Sequence, residues 1–206
     1  MTASIDRQSP LAASRQRLAA ASTAPAFSIR ELPFTTQVNL RGDAANPAFV
    51  SAVRGAIGCE PPREANTFTS AGSASILWLG PDEWLVADEP DRGDGIAGAL
   101  RRALPGMRHS VTDVSASRTV IEIAGRDARI VLAKGCPLDL HAQAFAPPRT
   151  AQTLLVKATV ILQCVDASPA YRIFVRSSFA AYLAAWLVDA AAECAAARKL
   201  GLPDLA

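Results

Sequence analysis

Two stretches of the sequence carry the same order of secondary-structure signals about 83 residues apart, and this repeat constrains the fold more than any other feature. Each copy is predicted to run strand, helix, hairpin, helix, with a Gly-Cys and then a proline after its first helix. An accidental match of short apolar strings is the alternative. A true repeat predicts an α+β fold of two ferredoxin-like β/α halves, with antiparallel sheets, helices packed on one face, and a shared core. The corresponding pairs are Val38 and Ile121, Gly42 and Gly125, and Leu77 and Val160.

Capping residues, helix breakers and apolar periodicity predict four helices. The fourth begins at Ser177 or Ser178, carries apolar residues spaced at three, four, seven and eight positions, and ends near Lys199. The first three run from Asn46 to Gly58, from Asp94 to Leu104 and from Asp127 to Gly135.

Seven short segments, alternating in polarity or rich in β-branched and aromatic residues, are predicted to be strands. The clearest hairpin is ILWLGPDEWLVAD, in which Gly80, Pro81 and Asp82 form the turn. A second hairpin, VILQCVDASPAYRIFV, turns at residues 166–169. The predicted strands are 37–41, 75–79, 83–87, 119–124, 153–156, 159–164 and 171–175.

Composition supports one globular domain that binds neither nucleic acid nor membrane. Half of the 206 residues are hydrophobic, and the net charge is only +2, too small for a polyanion-binding surface. We find no run of about 18 apolar residues that could span a bilayer. We expect a flexible N-terminal extension at 1–26, one domain at 27–199 with halves at about 27–107 and 108–199, and a C-terminal tail at 200–206.

The first 26 residues lack the apolar core of a secretory signal. The four cysteines, with no CxxC spacing, are expected to be free thiols in a reduced cytoplasmic protein. They are Cys59, Cys136, Cys164 and Cys194.

We searched the sequence for metal, phosphate and thiol chemistry. His109 and His141 have no partner at metal-ligand spacing, so no metal site is predicted. The segment GDGIAG, at 93–98, matches no phosphate-binding fingerprint and lies beside Asp91. Cys136 follows Lys134 but lies at the end of a helix, where the dipole disfavours a thiolate, so a structural role is favoured.

Carboxylates and aromatic residues also favour structural roles. Asp113 precedes a strand, where an aspartate usually orders a turn rather than acting as a general base. Asp82 and Glu83 are adjacent in a hairpin and make a poor acid/base pair, because neighbouring strand side chains point to opposite faces. Trp78 and Trp84 are expected in the core or a buried interface rather than in a ligand-stacking platform. We therefore assign no catalytic, cofactor-binding or metal-binding residue.

A series of segments in a fixed order resembles the gamma subunit of bacterial heterotetrameric sarcosine oxidase over about residues 36 to 193. The family is distantly similar to the folate-binding region of aminomethyltransferases, the glycine-cleavage T proteins, in features that here are Asp113, Ser115, Gly125 and Asp127–Ala128. The segments are LGPDEWLV (79–86), DVS (113–115), RTVIEIAG (118–125), LAKGCPLDLH (132–141), Phe145, AQTLLVKATVILQ (151–163) and VRSSFAAYLAAWL (175–187).

This resemblance implies a complex that oxidises sarcosine to glycine, reduces oxygen to hydrogen peroxide, and releases the methyl carbon as formaldehyde or passes it to tetrahydrofolate. It implies a gamma subunit with no catalytic residue or cofactor of its own, bound directly to an alpha subunit and assembled with beta and delta subunits. FAD, FMN, NAD, tetrahydrofolate and zinc belong to those other subunits. A free-standing folate- or one-carbon-binding enzyme and an unrelated α+β binding module are the alternatives.

The last predicted helix is rich in small apolar residues around most of its circumference. One hypothesis is that part of this helix, or the adjoining sheet edge, is buried against the alpha subunit. The alternative is that alanine reflects helix propensity on a solvated face. The residues of interest are Ala181, Ala184, Ala185 and Ala192.

Overall fold

The computed structural model describes residues 7–200, which form five α-helices, a short 3-10 helix and ten strands. The helices are α1 (Arg15–Ala21), α2 (Pro47–Ile57), α3 (Gly93–Ala103), α4 (Ala128–Ala133) and α5 (Ser177–Lys199), and the 3-10 helix is Ala12–Ser14. The strands are β1 (Ser28–Leu32), β2 (Thr36–Arg41), β3 (Phe68–Ala71), β4 (Ala74–Gly80), β5 (Glu83–Asp88), β6 (Ser110–Asp113), β7 (Arg118–Ala124), β8 (Thr150–Leu155), β9 (Ala158–Asp166) and β10 (Ala170–Arg176).

All strand pairs are antiparallel, and the strands form two five-stranded sheets. The first sheet has the order β3-β4-β5-β2-β6, and the second has the order β1-β7-β10-β9-β8. One apolar cluster fills the space between the first sheet and α2 and α3, and another lies between the second sheet, α1, α4 and α5. A third cluster, which includes Leu85 and Phe174, joins the two sheets. The α+β prediction is confirmed, with helices on one face of each sheet.

Each of the four predicted helices is present, and α2 shows most clearly the local signals that define its ends. The side chain of Asn46 accepts a hydrogen bond from the Ala48 amide at 3.0 Å, and Pro47 occupies the first turn of α2. Gly58 ends that helix at φ 98°, a left-handed conformation that glycine adopts without strain. The counterpart of α2 in the other half, α4, is short at six residues.

The repeat is present as two runs of strand, helix, three strands and helix, which are β2 to α3 and β7 to α5. Val38 and Ile121 both face the helices of their own sheet, as an 83-residue spacing requires. That spacing is wrong by one residue for the hairpins, because Leu77 faces the other sheet whereas Val160 faces the helices. Leu77 instead corresponds to Ile161, which also lies between the sheets.

The sheets exchange one strand each across the expected half boundaries. Strand β1 precedes the first run but pairs with β7 in the second sheet, and β6 precedes the second run but pairs with β2 in the first sheet. These two strands and β3 were not predicted from the sequence. Strands β1 and β6 contain charged residues and lie at sheet edges, so neither shows strong apolar alternation.

Strand β8 begins at Thr150 and ends at Leu155, earlier than the predicted 153–156. Val156 lies in the turn to β9 with φ 57°, outside the extended region that a strand requires.

The described part of the expected flexible extension, residues 7–26, packs on the second sheet instead. Leu11 and Leu18 are 0% and 3% exposed and belong to the core that α4 and α5 also cover. The side chain of Ser22 accepts a hydrogen bond from the Ile29 amide at 3.1 Å and so links the end of α1 to β1. Two buried leucines supply the apolar area that orders this segment. Residues 1–6 and 201–206 of the expected extension and tail lie outside the described residues.

Helix α5 is 23 residues long and contains an 18-residue window with a mean hydropathy of 1.3, which is enough by length and composition to cross a membrane. The core helices of soluble proteins also pass this test. Leu183 and Leu187 of α5 are fully buried against the second sheet. The buried leucines therefore account for part of this hydropathy, and only 39% of the window as a whole is buried.

Candidate functional site

A cleft of about 480 Å³ opens between one end of the first sheet and one end of the second. This volume lies within the range of small-molecule sites. The β1–β2 turn, the β3–β4 hairpin and the segment after β5 contribute one part of the lining, and β9 and β10 contribute the rest. We call it the intersheet cleft, and its lining residues are Leu32, Pro33, Thr35, Phe68, Ser70, Gly72, Ser73, Ser75, Ala87, Asp88, Glu89, Pro90, Gln163, Val165, Arg172 and Phe174.

Gln163 lines the intersheet cleft with a buried amide group that has no partner. The residue is 1% exposed, and neither its Oε1 nor its Nε2 makes a hydrogen bond within residues 7–200. It lies on β9 on the face that also carries Ile161, which packs between the sheets. Each unpaired buried amide group costs roughly 1–3 kcal/mol of folding free energy. A buried polar group left without partners is unusual in a folded protein, so this glutamine requires an explanation.

Charged side chains continue from Gln163 across the second sheet in one row. Arg172 lies opposite Gln163 on β10, Glu122 lies opposite Arg172 on β7, and Arg30 lies opposite Glu122 on β1. The Arg172 Nε donates to Glu122 Oε2 at 3.1 Å, and the Arg30 Nε donates to Glu122 Oε1 at 2.9 Å. Two guanidinium groups therefore share one carboxylate, which leaves the row with a net positive charge.

The first sheet lines the cleft with negative charge and apolar surface. Asp88 is 7% exposed, and its Oδ1 accepts a hydrogen bond from the Glu89 amide at 2.8 Å. Phe174, from the second sheet, and Phe68, from the first, supply buried aromatic surface. The cleft thus combines a cationic side, an acidic side and an unpaired amide.

Asp113 orders the turn between β6 and β7, as the sequence predicted. Its Oδ1 accepts hydrogen bonds from the Ser115 amide at 2.8 Å and from the Ser115 hydroxyl at 2.6 Å. The Gln37 amide donates to Ser115 Oγ at 2.9 Å, which fixes this turn to β2. A Cβ added to Gly93, the first residue of α3, would lie 2.4 Å from Asp113 Oδ2. The absence of a side chain at Gly93 therefore allows the Asp113 carboxylate to approach the start of α3, where the helix dipole stabilises a negative charge.

The four cysteines are free and buried. Burial raises the pKa of the Cys164 thiol to about 11, and it also raises the pKa of Cys59 and Cys136. The ammonium of Lys134 lies 2.7 Å from Glu193 Oε2 and 2.7 Å from the Ala190 carbonyl oxygen, on the side of α5 rather than at Cys136. The thiols of Cys59, Cys136 and Cys164 therefore stay protonated near neutral pH, which favours packing over nucleophilic chemistry.

His141 lies at a bend, and His109 directly precedes β6. His141 Nδ1 is 3.3 Å from the Gln143 amide, which donates to it, and the His141 amide donates to Asp139 Oδ1. His109 Nδ1 lies 2.9 Å from the Met107 carbonyl oxygen. Among residues 7–200, no group of three or more His, Cys, Asp or Glu side chains could hold a metal ion.

Glu83 is part of a surface network at the hairpin edge. Its carboxylate accepts hydrogen bonds from Arg41 at 2.6 Å and from the Asn39 side chain at 2.7 Å. The bond from Arg41 holds the pKa of Glu83 below its ordinary value. Glu83 therefore stays ionised at neutral pH, in a structural contact.

Trp84 is a core residue of the first sheet. It is fully buried, its Nε1 donates to the Pro62 carbonyl oxygen at 2.9 Å, and its ring lies 5.9 Å from that of Phe49. Trp78 is partly buried against the same cluster. The tryptophans therefore pack the core, as predicted.

Sequence reasoning missed the intersheet cleft. Its one local signal was Gln163 within the apolar run VILQCV, where a strand buried on both faces would carry no amide. Arg172, Glu122 and Asp88 are far apart in the sequence and give no motif, because only strand pairing and sheet packing bring them to one region.

Comparison with known protein families shows which family the chain belongs to. A model of the sarcosine oxidase gamma subunit family matches residues 41–193. The chain belongs to this family. Within the family, the sarcosine oxidase subunit gamma of an Arthrobacter species is 38% identical over 191 residues, covering 92% of each chain. The subunit gamma of Corynebacterium sp. strain U-96 is 36% identical over 198 residues, covering 93% of each.

Solved structures agree with the family assignment. A chain of the heterotetrameric sarcosine oxidase from Corynebacterium sp. U-96, in complex with pyrrole 2-carboxylate, matches with a TM-score of 0.82 and 34% identity. The match covers 91% of this chain and 95% of that one. Aminomethyltransferase T of the glycine cleavage system from Bartonella henselae matches with a TM-score of 0.62 and 11% identity, over 84% of this chain and 48% of that one, which shows a shared fold.

Proposed function

We propose that the chain is the gamma subunit of a heterotetrameric sarcosine oxidase and acts as a structural subunit of that complex. The observation that carries this proposal is the 38% identity with a subunit gamma over 92% of both chains. The complex would oxidise sarcosine to glycine with formation of hydrogen peroxide, and its methyl carbon would leave as formaldehyde or as 5,10-methylenetetrahydrofolate. The complex would be cytoplasmic.

The chemistry of the complex would take place in its other subunits. FAD, FMN, NAD, tetrahydrofolate and zinc would be bound by the alpha, beta and delta subunits. Three classes of group that could act in catalysis are held in structural contacts in this chain. Asp113 is bound in its turn, Glu83 is paired with Arg41, and burial keeps the thiols of Cys59, Cys136 and Cys164 protonated.

The exposed face of α5 is proposed as the contact with the alpha subunit. Phe179 and Tyr182 are 43% and 40% exposed, and their rings stack edge to face with centroids 6.4 Å apart. Ala181 and Ala192 are exposed on the same helix. Large exposed apolar residues next to small ones are typical of a surface that a partner covers. Membership in a family of subunits identifies a subunit of the oxidase as that partner.

The catalytic part of the proposal is tested with the reconstituted complex. His109→Ala, His141→Ala and each of the four cysteines changed to Ala should leave kcat for sarcosine within about twofold of wild type, measured by peroxide release in assembled complexes. Any of these variants that assembles at wild-type yield and loses kcat by a hundredfold or more would show that this chain contributes a catalytic group. Assembly is checked by size-exclusion chromatography of every variant.

A further inference from the structure

The intersheet cleft holds features that the role of a structural subunit does not use. Its volume of about 480 Å³ is open to solvent at one end of both sheets. The amide of Gln163 is buried and unpaired, although the adjacent polar row of the second sheet is hydrogen-bonded. A side chain that served only packing at this position would be apolar, like Ile161 on the same strand face.

The two unpaired atoms of Gln163 determine which hydrogen-bonding groups a ligand needs. Its Nε2 is a donor that requires an acceptor, and its Oε1 is an acceptor that requires a donor. A ligand that satisfies both therefore carries an acceptor and a donor a few atoms apart. Neutral amides and zwitterionic amino acids both meet this condition.

The charged side chains that line the cleft favour the zwitterionic amino acid over the neutral amide. Arg172 lies beside Gln163 in a row where two arginines share the single carboxylate of Glu122. Asp88 and Glu89 line the cleft from the first sheet. A site with a cationic side and an acidic side favours a ligand whose own charges are separated, since each charge then has an opposite partner in a partly desolvated space.

We propose that the intersheet cleft binds a zwitterionic α-amino acid with an apolar side chain. The ligand carboxylate accepts hydrogen bonds from Arg172 and from Gln163 Nε2. The ligand ammonium donates to Gln163 Oε1 and faces the carboxylates of Asp88 and Glu89. The apolar side chain lies against Phe68 and Phe174. The volume exceeds the need of the smallest amino acids, so a branched side chain fills the site better.

Titration of the full-length chain with L-leucine tests this proposal. Calorimetry gives the affinity, and the side-chain NH2 resonances of Gln163 in a nitrogen-proton NMR spectrum, assigned by their loss in Gln163→Leu, report contact. We expect saturable binding of leucine and a shift of these resonances. The matched probes are 4-methylpentanoate, which lacks the amine, 3-methylbutylamine, which lacks the carboxylate, and 3-methylbutanamide, which is a neutral amide. Each should bind at least about tenfold more weakly, because each loses a charge-assisted hydrogen bond.

Two cleft variants and one control complete the test. Gln163→Leu should weaken leucine binding at least about tenfold without lowering the Tm, because it removes an unpaired buried amide. Arg172→Gln should weaken leucine binding at least about tenfold. The affinity for 3-methylbutylamine should not change, because this probe has no carboxylate for Arg172 to bind. Glu122 keeps its hydrogen bond from Arg30 in this variant. Gln143→Leu, at an exposed position outside the cleft, should bind like wild type.

Three results would each overturn the proposal. The first is the absence of saturable leucine binding to the wild-type chain. The second is binding of leucine to folded Gln163→Leu or Arg172→Gln with wild-type affinity. The third is a preference for 3-methylbutanamide over leucine, which would identify a neutral-amide site instead. Glycine and sarcosine, titrated in parallel, show how much of the affinity the side chain supplies.

Discussion

At the scale of single residues, Gly93 and Asp113 show how the first run is held to β6. The carboxylate of Asp113 ties its own turn to Ser115 and approaches Gly93 at the beginning of α3. The side chain of Thr36 on β2 accepts a hydrogen bond from the Arg92 amide just before that helix. The start of α3 is thus joined both to β2 and to the turn after β6.

We predict that Gly93→Ala lowers the free energy of unfolding by about 1–3 kcal/mol, because the new methyl group would lie against Asp113 Oδ2 and force it away. The matched control is Gly95→Ala in the same helix, where an added Cβ meets no atom within 4 Å. This change should raise stability by up to about 1 kcal/mol, since alanine favours the helix over glycine. Urea unfolding followed by circular dichroism measures both. Equal effects of the two substitutions would contradict the close contact at Gly93.

At the scale of secondary-structure elements, α1 belongs to the core of the second sheet. Leu18 is 3% exposed, whereas Arg17 beside it is exposed. We predict that Leu18→Ala lowers the free energy of unfolding by about 2–5 kcal/mol, because it leaves a cavity in a packed cluster. Arg17→Ala should change it by less than about 0.5 kcal/mol. Chemical denaturation gives both values, and a negligible effect of Leu18→Ala would mean that α1 is not part of the cooperative unit.

Helix α5 has one face in the core and one face open to a partner. Ala184 is 2% exposed, so it is a core residue and not a surface position of the kind that the sequence-based hypothesis needs. A charged side chain there would disrupt the fold and would give no information about assembly. Ala181 and Ala192 are exposed and suit that purpose.

We predict that Ala181→Glu or Ala192→Glu greatly reduces co-purification with the alpha subunit, because a charge is then buried without a partner in the interface. Stability of the isolated chain should change by less than about 0.5 kcal/mol. Ala48→Glu, at an exposed position of α2, is the control and should assemble normally. Wild-type recovery of alpha with both folded α5 variants would show that the contact lies elsewhere.

The strands show what local sequence can and cannot predict. The segments that became β4, β5, β9 and β10 carry dense apolar and β-branched residues, so their pattern alone locates the two hairpins. Strands β1 and β6 are edge strands whose pairing comes from contacts about 90 and 70 residues away, which leave no local signal. The cleft around Gln163 was likewise not predictable from local sequence, because the residues that line it with Gln163 come from the other sheet and from another strand.

At the scale of the whole molecule, the exchange of β1 and β6 makes the two halves depend on each other. Each sheet is completed by a strand that lies next to the other run in the sequence. The faces of the sheets that carry no helices meet through Leu77, Leu85, Val120, Ile161 and Phe174. The result is a packed two-sheet unit with a cleft at one end and a partly apolar helix face on its outer surface, an arrangement suited to a subunit that binds partners.

Affinity purification of the tagged full-length chain from its native host tests whether the chain is a subunit of a sarcosine oxidase complex. We expect the chain to elute with three other subunits in equal amounts. The eluate should be yellow from bound flavin and should release hydrogen peroxide when sarcosine is added. Elution of the chain alone, from cells that contain an active sarcosine oxidase, would show that it is not a subunit of that complex.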